Sequence, residues 1–150
     1  MIEEKKIIQS FLSTGYSIVD FDNLKKLDKI KNEIFSLSRK ILNIKNLQKD
    51  LFFDYTQNYI KPNNLNKFKI EIISKINSKR IIKDSYYDLS QKVLDIIVGN
   101  EIAMQKNINL SVQLPNDKNS VLPLHADTWS GNSPFETVIW LPLVDCKKTK

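Results

Sequence analysis

Ile108-Asn109-Leu110-Ser111-Val112-Gln113-Leu114 alternates apolar and polar residues without interruption. In extended backbone successive side chains point to opposite faces. The stretch therefore predicts a strand with Ile108, Leu110, Val112 and Leu114 on a buried face and Asn109, Ser111 and Gln113 on a polar one. Pro115-Asn116-Asp117-Lys118-Asn119-Ser120 supplies the turn that follows. Residues 121–127 and 135–145 read as two further extended runs, separated by a polar loop over 128–134. The last run carries Val138, Ile139, Trp140, Leu141 and Leu143 almost continuously, the pattern of a strand covered on both faces.

Upstream of Gln105 the period is helical instead. Ile7, Ile8, Phe11 and Leu12 make one face of a short helix, and Gly15 stands where a helix end wants positive φ. A short strand is expected over 16–21. Asp22 then reads as the N-cap of a second helix whose apolar positions, Leu24, Leu27, Ile30, Ile34, Leu37 and Ile41, step by three and four. A third helix holds Leu65, Phe68, Ile72 and Ile76. The fourth holds Tyr86, Leu89, Val93 and Ile97, opened by Ser85 with Asp88 in capping-box position and closed by Gly99.

The 150 residues are about one domain long, and their 41% hydrophobic content with both charge signs mixed is that of a globular protein. Net charge is +6. Lysines alternate with Glu and Asp through 25–31 and 67–75, so the excess reads as a solvated basic surface and no nucleic-acid partner is expected. The single Cys146 allows neither an intramolecular disulfide nor a cysteine zinc site, which fits a reducing cytoplasm. The start of the chain is charged where a signal peptide needs an apolar run, and no stretch approaches the ~20 apolar residues of a membrane span. A cytoplasmic chain without a membrane partner is the expectation.

The chain's only histidine lies in His125-Ala126-Asp127. Residues two apart in extended backbone share a face, so this imidazole and this carboxylate can reach one ion together. Neutral imidazole with carboxylate suits Fe(II), and a second histidine from elsewhere would complete a facial triad with open positions. Taken alone the spacing is common, and a surface His–Asp pair at a turn is its plain alternative.

Three runs read together, residues 110–115, 122–136 and 138–145, resemble the phytanoyl-CoA dioxygenase-like oxygenases. The resemblance is strongest to the branch of sporadic carbohydrate cluster 2-oxoglutarate–Fe(II) oxygenases, and it covers about residues 108–150. It implies an α+β fold in which a helical front, 1–105, leads into the first strands of a double-stranded β-helix or jelly roll at 106–150. On that view residues 1–150 are a single oxygenase domain, incomplete at its C-terminus. The cofactors implied are Fe(II), 2-oxoglutarate as cosubstrate and O2, and the partner is a small or carrier-bound metabolite, in a setting such as surface-carbohydrate biosynthesis.

Carried over by position, His125 and Asp127 are the iron ligands and the catalytic pair. Trp140 matches an aromatic that lines the cosubstrate pocket, with a barrel-core tryptophan as its alternative. Gln113 is placed to reach the same cavity, or else faces solvent. Thr128, Trp129 and Ser130 would shape the substrate opening. The distal histidine and the basic residue that clamps 2-oxoglutarate belong downstream in this family, yet residues 128–150 contain neither His nor Arg. Lys147, Lys148 and Lys150 are basic, but a chain end is a poor place to preorganise a carboxylate clamp. Truncation is the simplest account. The rival is a non-catalytic binding or assembly module built on a degenerate barrel, without a metal requirement.

Overall fold

The computed structural model describes residues 2–20, 24–117 and 123–146. Among them are five α-helices: α1 (Ile2–Thr14), α2 (Leu24–Leu42), α3 (Lys49–Asp54), α4 (Pro62–Asn77) and α5 (Arg80–Ile97). Short 3-10 turns lie between α3 and α4 at Thr56–Asn58 and after α5 at Asp127–Ser130.

Helical spacing of apolar residues decides where the core sits. The α2 residues Ile30, Ile34 and Leu37 meet Leu65, Phe68, Ile72 and Ile76 of α4 and Ile82 and Leu89 of α5 in one cluster. Each buried aliphatic side chain contributes about 1.5–3 kcal/mol by leaving water. The short α3 adds Phe52, whose ring lies 6.1 Å from Phe35 and 6.0 Å from Tyr59. In the middle stands α2, packed against both α4 and α5, while α1 leans on α5.

The ends of the helices follow local chemistry. Gly15 takes φ +80 and returns its N–H to Phe11 O at 2.9 Å, closing α1 where the apolar spacing stops. Pro62 opens α4 at a position where its missing N–H has no helical partner to lose. The start of α5 corrects the capping-box expectation. That helix begins at Arg80, so Ser85 lies inside it and is buried, and Asp88 pairs with Lys26 of α2 at 2.8 Å. Asp22, the expected cap of α2, lies outside the described residues. Residues 16–20 form no strand.

The α+β expectation is overturned: the described residues contain no strand and no sheet, and with them goes the start of a jelly roll. The alternation at 108–114 is nevertheless real in its burial. Leu114 is buried and Ile108, Leu110 and Val112 are half-buried against the helical cluster, while Asn109, Ser111 and Gln113 are exposed. A period of two requires only one covered face. Here helices cover it, and among the described residues no ladder forms along the edge of the segment.

The segment 135–144 departs further from expectation. Leu141 and Leu143 pack on the helical cluster, but Phe135, Val138 and Trp140 are exposed. The run is thus covered on one face, not two. None of the described helices is long and apolar enough to cross a membrane.

Candidate metal centre

Ala126 is extended at φ −116, ψ 136, and Asp127 opens the 3-10 turn that follows it. This break sets the local geometry. Trp129 N–H donates to Ala126 O at 2.9 Å and Gly131 N–H to Thr128 O at 3.1 Å. Gly131 accepts φ +90, a conformation costly for any residue with a Cβ, and so ends the turn. His125 and Asp127 thereby flank a single extended residue, with a hydrogen-bonded 3-10 turn behind them.

Their side chains converge. His125 Nε2 stands 3.5 Å from Asp127 Oδ1, and both side chains are about half exposed. On the other side of the ring, Nδ1 lies 2.7 Å from Pro123 O. A carbonyl oxygen can only accept, so Nδ1 carries the proton and donates it. Nε2 then turns either a lone pair or a proton toward the carboxylate. A proton there makes the contact an ordinary ion pair; a lone pair there sets two acceptors face to face, a repulsion that a cation between them removes.

The spacing suits such a cation. Ligand bonds of about 2.1 Å to donors this far apart enclose an angle of roughly 110° at the ion, within the range of neighbouring ligands. A backbone carbonyl accepting from the far ring nitrogen is also the usual support of a metal-bound histidine, because it fixes the tautomer and the ring plane. The fit extends to two ligands. Among the described residues no group of three or more His, Cys, Asp or Glu side chains could hold a metal ion.

The remaining sequence-derived residues are less closely gathered. Gln113 is exposed on the outer side of segment 108–114, and Trp140 is 68% exposed. Among the described residues, no hydrogen bond or ring contact joins either of them to the His–Asp pair. Trp129, next to the pair in sequence, is 76% exposed, and Leu124 is 96% exposed. Thr128 and Ser130 lie in the 3-10 turn. Lys147, Lys148 and Lys150 fall outside the described residues.

Two residues hold the extended segments in place: Asn77, which sequence reasoning passed over, and Tyr86, which it placed only on the apolar face of the fourth helix. Asn77, at the last turn of α4, binds the backbone of Ile108. Tyr86 of α5 donates its hydroxyl to Ile139 O, and partial burial raises its pKa above the ordinary 10.0. Neither carries a sequence signal, since both stand in helices at positions where apolar spacing says nothing about a hydrogen bond. No protein-family model, curated protein or solved structure matches this chain.

Proposed function

We propose that His125 and Asp127 are two of the three protein ligands of a mononuclear Fe(II) centre in a 2-oxoglutarate-dependent oxygenase acting on a small or carrier-bound metabolite, a surface-carbohydrate precursor by resemblance. One observation carries the reading: Nδ1 of His125 is committed to Pro123 O while Nε2 and Asp127 Oδ1 converge at 3.5 Å. Of all the side chains in the sequence, these are the sole imidazole and a carboxylate two residues on.

The chain's contribution to such chemistry is positional. His125 and Asp127 would hold the iron from one side, with the Pro123 carbonyl keeping the imidazole in its ligating tautomer. Fe(II) with 2-oxoglutarate and O2 supplies the oxidising power when bound. The second histidine of the triad is a residue that these 150 do not contain. Gln113 and Trp140, both exposed, would contribute to a cosubstrate pocket only once that further ligand and its surroundings stand opposite them. A reducing cytoplasm, where iron stays ferrous and Cys146 stays a thiol, is the compartment this reading requires.

The test is metal-dependent succinate formation from 2-oxoglutarate by the natural gene product that carries these residues. Changing His125→Ala removes a ligand outright and should cost at least about 100-fold in activity, the upper end of what loss of a mere supporting contact costs. Turnover that is indifferent to His125→Ala and Asp127→Ala would remove the assignment.

A further inference from the structure

The apolar face of segment 108–114 is built from Ile108, Leu110, Val112 and Leu114, four aliphatic side chains of similar size. Such a face sets the register only in part. A slip of one residue would bury Asn109, Ser111 and Gln113 and is forbidden by the cost of unpaired polar groups. A slip of two residues keeps an aliphatic side chain at three of the four inward positions and brings Lys106 or Asn116 to the fourth, so the hydrophobic effect opposes it far less than a slip of one.

The carboxamide of Asn77 holds the register against such a slip. Its Nδ2 donates to Ile108 O at 2.8 Å and to Ile73 O at 2.9 Å, while its Oδ1 accepts from Ile108 N–H at 2.8 Å. Every donor of the amide is used, and both backbone groups of one residue are taken, as they are in a hydrogen-bonded pair of an antiparallel ladder. The donation to Ile73 O ties the same amide to the backbone of α4, so the grip is rigid. Just before it, Lys83 Nζ donates to Lys106 O at 2.9 Å and steadies the approach of the chain.

We infer that Asn77 is a positioning residue that locks segment 108–114 against the two-residue slips that its apolar face resists least, and thereby fixes where Gln113 stands on the outer side. Displacement by two residues would carry Gln113 about 6–7 Å along the segment, beyond the reach of one hydrogen bond. The register claim stands on the geometry of Asn77 alone. Its bearing on the cosubstrate rests on the function proposed above.

The experiment measures a distance. In a Cys146→Ser background, cysteines introduced at Asn66 of α4 and at Gln113 carry spin labels, and their separation is read by pulsed dipolar spectroscopy. With Asn77 intact a single narrow distribution is expected. Asn77→Ala should broaden it or add a second population displaced by several ångström, while the helical circular dichroism stays unchanged. Asn77→Asp retains the acceptor for Ile108 N–H and loses both amide donors. It should give an intermediate distribution, and it decides the matter if the alanine variant does not fold.

An unchanged single distribution in the folded variants overturns the inference. A second arm measures 2-oxoglutarate affinity in the natural gene product, where Asn77→Ala should weaken binding about tenfold. Broadened distances with unchanged affinity would uphold the register lock and remove Gln113 from the proposed cosubstrate site.

Discussion

Tyr86 of α5 donates its hydroxyl hydrogen to the carbonyl of Ile139, a residue 53 positions further along the chain. The bond pins residues 135–144 to the helical layer beside the apolar anchors Leu141 and Leu143. It exists only while the phenol is neutral. Burial raises the pKa of Tyr86 above 10.0 in the folded state, so its contribution is complete below about pH 10 and is lost as pH rises through the raised value. Tyr86→Phe should therefore destabilise the protein by about 0.5–1.5 kcal/mol near neutrality. Denaturant midpoints of wild type and Tyr86→Phe, measured from pH 7 to 11, should differ by a constant amount up to about pH 10 and converge above it.

Ile72 is the most enclosed member of the helical core, with no exposed surface. Ile72→Ala should cost about 2–5 kcal/mol, because the cavity adds to the lost transfer energy. Equilibrium urea unfolding followed by circular dichroism measures it. A cost under about 1 kcal/mol would mean that the α2, α4 and α5 faces do not close on one another as described.

Both tryptophans stand in water, Trp129 at 76% and Trp140 at 68% exposure. Emission of residues 1–150 should accordingly be that of solvated indole and should be quenched freely by acrylamide. Blue-shifted emission with weak quenching, unchanged in Trp129→Phe, would mean that Trp140 is covered and would contradict its exposure.

The helices were legible because their apolar residues recur every three or four positions: Leu65, Phe68, Ile72 and Ile76 are all buried, as their spacing demands. The α3 helix was not, since six residues with adjacent phenylalanines show no period. At 108–114 the sequence specified an inward and an outward side, and both are present. What alternation cannot specify is the covering layer, and here α-helices take the place a neighbouring strand was expected to fill. For the site, the shared side of His125 and Asp127 followed from their spacing. The commitment of Nδ1 to Pro123 O did not, because a backbone carbonyl has no sequence signature.

Since His125 is the only histidine, its imidazole signals in nuclear magnetic resonance belong to one residue and report directly on the proposed centre. The decisive measurement is an anaerobic Co(II) titration of residues 1–150, Co(II) standing in for Fe(II), in wild type, His125→Ala and Asp127→Ala. Two ligands predict weak binding in which the imidazole signals broaden first, with affinity reduced at least tenfold in either variant. Equal Co(II) affinity in all three proteins, with the His125 ring undisturbed, would contradict the assignment of His125 and Asp127 as metal ligands.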